Sequence, residues 1–366
     1  MKHYERMGSF DVLKIGAIFF IILHHYALWT GWNFEKGIHF NKIIAQSLLV
    51  GGKLGVNIFI MITGYFMIKS SPKIKSLIIV WMETTVISLF IYFLTLLFQL
   101  EGQVFSMEVF IRRLFPVVFG QYWFVTAYSL MYLVIPIINK IMLDYNDKKR
   151  VRILSITFVL LSIYTFIYYD KGMTFSFPIW FVFLYSLGAH IRLNENNFLN
   201  ITFKKLFVNV IVIFSSLVLI NISLQYLFSN KEYMLTKILT FLGWHETIFY
   251  TRDASPLLLL LAVNIFIIAM KIKIKPRKAY QYISRAAFGV YLLQSAPWFS
   301  TEYLWPILVN GQRFLSGKYI LIYGVLVTTA IYIVGIVIYT FLTPIVRGSV
   351  KICNRIIKKL ENFIYE

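Results

Sequence analysis

From about the eleventh residue the chain alternates long apolar runs with short polar interruptions. The runs fall at 11–29, 44–68, 77–100, 118–141, 153–169, 175–191, 206–228, 256–270, 283–299 and 319–343. A helical residue rises about 1.5 Å and a bilayer's hydrocarbon core is about 30 Å thick, so about 20 apolar residues cross it. Backbone in lipid must satisfy its own hydrogen bonds, which makes such runs helices. The pattern predicts an all-α polytopic membrane helix bundle of about ten transmembrane helices, a single domain over 1–366 with a basic tail at 344–366. The eighth run is short, and the partly apolar stretch 238–250 before it reads as a re-entrant or interfacial piece. The polar start is short and no small-residue cleavage site follows the first run, which reads as a retained span. Non-spanning stretches reach roughly 20–30 residues, too few for a large soluble domain, so any chemistry belongs in the bundle or at its faces.

Composition agrees, with 59% hydrophobic and 14% charged residues. A soluble globule this apolar would expose patches that water does not tolerate. The net charge of +20 taken alone suggests nucleic acid, but the cations sit in clusters between apolar runs, with no continuous stripe or nucleic-acid motif. They give orientation instead. One set of loops carries Lys69, Lys73, Lys75, Lys148, Lys149, Arg150, Arg152, Lys204, Lys205, Lys271, Lys273, Lys275, Arg277, Lys278 and the tail cations. Roughly 25 of the 36 basic residues fall on this side. By the positive-inside rule it is cytoplasmic, and an even span count puts both termini there. Cys353 is the one cysteine, so no intrachain disulfide forms.

The first run holds the sharpest chemistry. Asp11 and Lys14 are three residues apart and neighbour each other on a helix surface. Lys14 and His25 are eleven apart, so they share one stripe, with His25 roughly 16 Å further along the axis. His24 faces the other side. Ionisable groups at membrane depth are costly and face the bundle interior or a water-filled cavity. The same spacing suits an imidazole hydrogen-bonded within the bundle and a lysine snorkelling to the interface. It also suits coenzyme A, with the cation holding phosphate and the histidine meeting the thioester end of the pantetheine arm as base or acyl carrier.

Four segments occur in an order that resembles the acyltransferase-3 family of integral-membrane acyltransferases. Phe10-Asp11-Val12-Leu13-Lys14 through His24-His25 resembles its first helix, which carries a basic residue, ten intervening residues and a histidine. Gly55 to Tyr65 resembles its second-helix pattern. Tyr122-Trp123-Phe124-Val125 with Tyr128, Tyr132 and Pro136 resembles its Trp-Phe segment, and Phe288-Gly289-Val290-Tyr291-Leu292-Leu293 its late Phe-Gly-Ile-Tyr-Leu motif. There are two departures. Lys14 stands where the family prefers arginine, and Gln294 follows the last motif where histidine is common, so no catalytic histidine is assigned there. The resemblance implies transfer of an acyl group, usually acetyl from acetyl-CoA as co-substrate, to a hydroxyl of a cell-surface or exported polysaccharide or its lipid-linked precursor. Together with the spacing and depth of these residues, it points to His25 as catalytic with Asp11 as orienter, Lys14, Lys73 and Lys75 at the acyl-CoA phosphates, and Trp123, Tyr128 and Glu83 at the acceptor or cavity wall.

His245-Glu246 and Arg252-Asp253 read as solvated loop charges, with an acceptor-sugar site as the alternative. Glu83 is an acid inside the third run. Gly51, Gly52 and Gly55 suit close helix packing, and aromatics near run ends suit interfacial anchoring. No histidine pair has metal-site spacing, and no bound cofactor or metal is expected. The expected partners are acetyl-CoA, a glycan or lipid-linked glycan, the bilayer of a bacterial plasma membrane and a second copy of the chain in a homo-oligomer. The rival readings are a transporter or flippase for lipid-linked sugars, which predicts discontinuous helices and internal symmetry, and a scaffold or sensor that makes no use of His25.

Overall fold

The computed structural model describes residues 7–167 and 177–353. The ends of the fifth and sixth predicted spans that meet at 168–176 lie outside the described residues, as do His3, Arg6 and the tail cations beyond Cys353. Among the described residues every regular element is helical. The helices are α1 (Gly8–Trp29), α2 (Phe40–Leu48), α3 (Val50–Met67), α4 (Ile74–Leu97), α5 (Met107–Leu114), α6 (Trp123–Asp144), α7 (Asp147–Phe158) and α8 (Thr165–Ile167). They continue as α9 (Phe177–Leu193), α10 (Glu195–Leu199), α11 (Phe203–Ser229), α12 (Met234–Phe241), α13 (Ile248–Thr251), α14 (Pro256–Lys271), α15 (Lys278–Gln294) and α16 (Ile320–Ile352).

Seven of these helical stretches are long and apolar enough to cross a membrane: α1, α2–α3, α4, α6, α7–α8, α11 and α16. α9 and α14 are apolar but shorter. α15, the ninth predicted span, begins polar at Lys278 and stops at Gln294 rather than running to 299. Beyond it Trp298 takes a positive φ of 63° and a π-helical segment, Phe299–Val309, follows. The 238–250 stretch folds as two short helices, α12 and α13, at the end of the bundle opposite the basic loops.

Burial separates centre from rim. The apolar stretch of α2–α3 is 61% buried and that of α11 only 17%, so the first packs on helices all round and the second is left for lipid. Ile211, Val212 and Leu219 on α11, and Leu326, Ile333 and Phe341 on α16, are exposed, as a hydrocarbon-facing rim requires. Lipid offers helices no hydrophobic reason to associate, so close backbone packing must hold the centre. The glycines of α3 supply it. A Cβ on Gly55 would lie 2.7 Å from the Ala17 carbonyl oxygen, and one on Gly52 would lie 2.6 Å from the His24 ring. Gly64 and Gly188 let α3 and α9 meet backbone to backbone in the same way.

The helix ends sort into two faces. At the first, Phe10 of α1 stacks on Tyr65 of α3 with ring centres 5.2 Å apart and meets Phe266 of α14 edge-on. Tyr65 donates to Glu195 at 2.9 Å, Lys271 donates to the Leu199 carbonyl, and the backbone of Lys73 pairs with the Tyr132 hydroxyl. This face collects the basic loops. At the opposite face Tyr26 donates to the Ile320 carbonyl, and Lys42 of α2 pairs with Glu246 at 2.8 Å.

Candidate functional site

α1 carries His24 and His25 near the face opposite the basic loops. Both are buried, at 6% and 8% exposure. Their rings turn into the bundle: His24 Nδ1 lies 2.8 Å from the Leu49 carbonyl oxygen, and His25 Nδ1 lies 2.7 Å from Gln294 Oε1. The His25 ring also stacks on Trp29, four residues on, with centres 3.9 Å apart.

The hydrogen bonds fix which nitrogen of His25 donates. Gln294 Nε2 donates to the Tyr291 carbonyl at 3.2 Å, which turns Oε1 toward the imidazole. An amide oxygen only accepts, so His25 Nδ1 must carry the proton. In the neutral ring Nε2 then holds the free lone pair. A base oriented from behind by a third group is the arrangement that proton-transfer and acyl-transfer sites need. Gln294 therefore holds a place the sequence reading left without a role. Its signal was its position, directly after the Phe-Gly-Val-Tyr-Leu-Leu run, where a hydrogen-bonding residue replaces another.

A second cation stands near. Lys53, on α3 one residue past Gly52, is within electrostatic reach of both histidines. Its ammonium pairs with Asp253 and lies 5.0 Å from the Trp123 ring centre. Sequence reasoning missed Lys53, although a lysine well inside a predicted span is itself a signal. It also treated Asp253 as a loop charge, because the contact joins residues 200 positions apart.

Toward the basic face a cavity of about 430 Å³ opens between α1, α3, α4, α6 and α15. Lys14, Glu83 and Tyr128 line it together with Thr63, Phe124 and Phe288. Three residues expected to serve one site thus come together. Glu83 accepts from the Tyr339 hydroxyl at 2.7 Å. The walls are otherwise apolar, which suits a flexible neutral arm passing a single cation. His25 is not among the lining residues. The far wall, Phe124, touches the Tyr291 ring at 5.5 Å, and Tyr291 lies one helical turn before Gln294.

The remaining expected residues sit apart. Asp11 is buried in the first turn of α1, where the helix dipole favours a carboxylate. Lys73 and Lys75 are exposed at the start of α4 and do not line the cavity. Trp123 begins α6 and packs against Phe177 and Lys53, at the histidine end rather than the cavity. Arg113, at the end of α5, is 9% exposed; burial holds its guanidinium below the usual range.

The sequence pattern of a family described as an acyltransferase domain matches residues 7–346, nearly the whole chain. No curated protein and no solved structure matches.

Proposed function

We propose, from the premise that this chain belongs to the acyltransferase-3 family, that it is a membrane O-acetyltransferase. It takes acetyl from acetyl-CoA and delivers it to a hydroxyl of a cell-surface or exported polysaccharide, or of that glycan's lipid-linked precursor. In this reading ten helices cross a bacterial plasma membrane: the seven long spans with α9, α14 and α15. The basic face and both termini lie in the cytoplasm, in keeping with the loop charges.

The observation that carries the proposal is the buried His25 with Nδ1 committed to Gln294, on the same helix as the cavity-lining Lys14 and about 16 Å along it. Acetyl-CoA enters from the basic face. Lys14 attracts its phosphates, with Lys73 and Lys75 raising the local concentration of the polyanion. The pantetheine arm follows the apolar cavity toward the imidazole. His25 Nε2 removes the proton from the acceptor hydroxyl as its oxygen attacks the thioester carbonyl. The tetrahedral intermediate collapses with cleavage of the C–S bond, and the imidazolium returns its proton to the departing thiolate. Asp11 helps hold the start of α1, and with it Lys14, in place. Trp123, Tyr128 and Glu83 shape the cavity and acceptor side.

The test is release of free thiol from acetyl-CoA by purified protein with a glycan acceptor. Acceptor-dependent release that vanishes in His25→Ala, in a variant that still purifies folded, supports the proposal. Release unaffected by that substitution rejects the mechanism. Acceptor movement across the membrane without thiol release favours a transporter.

A further inference from the structure

Behind the elbow that carries Gln294 lies a smaller cavity of about 110 Å³, away from the Lys14 cavity. The outer end of α4 (Tyr92, Thr95), Gln103, Arg113 of α5 and the turn Pro297-Trp298 line it. Its volume is enough for a small polyatomic group such as a phosphate or carboxylate.

Its chemistry is one-sided. The Arg113 guanidinium has five N–H donors in a planar fork. Two meet neutral oxygens, Gln121 Oε1 at 2.8 Å and the Pro297 carbonyl at 3.1 Å. No carboxylate pairs with it among the described residues, and no Asp or Glu lines the cavity. Gln103 and Trp298, which also line it, carry an amide NH2 and an indole N–H. A buried guanidinium with no counter-ion is costly, because the desolvation it suffers is offset only by neutral dipoles. The turn is built at a cost too: Trp298 holds φ at +63°, a conformation bulky residues avoid and that persists where the surroundings impose it. Ser300 ties it down by donating to the Gln294 carbonyl at 2.6 Å. The strained turn and the partner of His25 thus belong to one piece of backbone, and Arg113 of α5 docks on it through the Pro297 carbonyl.

We propose that this pocket binds an oxyanion, a phosphate or carboxylate group borne by the acyl acceptor, through the Arg113 guanidinium. The word acceptor rests on the acyl-transfer reading; the anion site does not. Planar, bidentate recognition of carboxylate or phosphate is what a partly satisfied arginine fork offers. An acidic glycan anchored there would hold its neighbouring hydroxyls near the end of α15 that positions His25.

The test measures binding without any acyl donor, so it fails independently of the enzymatic reading. Full-length protein in phosphatidylcholine nanodiscs is titrated calorimetrically with glucuronate, with glucose 1-phosphate and with glucose. At least one anionic sugar is expected to bind about tenfold or more tighter than glucose, and added salt should weaken it. Arg113→Gln should erase that preference, while Arg113→Lys keeps part of it. If Arg113→Gln does not fold, Gln103→Leu supplies the test, with a severalfold loss for the anionic sugar alone. Equal binding of charged and neutral sugars, or wild-type preference in Arg113→Gln, overturns the proposal. Displacement of the anionic sugar by phosphatidylglycerol added to the nanodisc assigns the pocket to a lipid headgroup and overturns the acceptor assignment.

Discussion

The two faces of the bundle handle charge in opposite ways. At the basic face Lys73 and Lys75 stand exposed, and a large apolar-walled cavity opens beside Lys14. At the opposite face several charges are drawn into the protein and paired. Lys42 meets Glu246; Gln46 and Asn221 complete that network at 2.8–3.0 Å; Lys53 meets Asp253. Exposed cations attract and release a polyanion cheaply, because water still solvates them. Buried pairs are rigid, because each partner depends on the other. The first arrangement suits a substrate that arrives and leaves by the thousand; the second suits the fixed walls of a reaction chamber.

Substitutions that break this contrast rank by expected effect. The largest belongs to the histidine end: His25→Ala should lower the rate of acetyl transfer by about 10²–10⁴-fold, read as thiol release, with acetyl-CoA binding retained. Next comes Gln294→Leu, which removes the group that fixes the tautomer and should cost on the order of 10–100-fold in kcat at nearly constant KM. Glu246→Gln should leave the buried Lys42 ammonium without its half-buried partner and destabilise the protein by about 1–2 kcal/mol, seen as a lower Tm in detergent. At the basic face the effects shrink. Lys14→Glu should raise KM for acetyl-CoA about tenfold while Lys14→Arg stays near wild type. Lys73→Ala and Lys75→Ala should each change KM by about twofold, and only at low salt. If the Lys73 and Lys75 variants matched Glu246→Gln in lost stability, the contrast between the faces would be wrong.

What could be read from sequence followed the same divide. Lys14 and His25 were legible because both lie on one helix, where spacing alone sets their alignment. The tight approach of α3 to α1 was legible from Gly51, Gly52 and Gly55 because small residues have few other uses in lipid. The cavity group of Lys14, Glu83 and Tyr128 was legible as candidates, though not as one wall, since three different helices bring them together. Lys53 with Asp253, His25 with Gln294, and Arg113 with Pro297 were not legible, because each joins residues some 180 or more positions apart. Span ends slipped where polar residues bend the rule of length: α15 gives way to a turn at Ser295, and the predicted ninth run crosses it without a break in hydropathy.

The glycine seam between α1 and α3 has a mechanical consequence. Main chain lies against side chain and main chain along it, so the helix bearing both Lys14 and His25 cannot slide, roll or tilt without colliding with its neighbour. The interval from cation to imidazole is therefore a fixed ruler. Under the proposed mechanism, motion in the catalytic cycle belongs to the donor's own arm, which threads toward a histidine held in place.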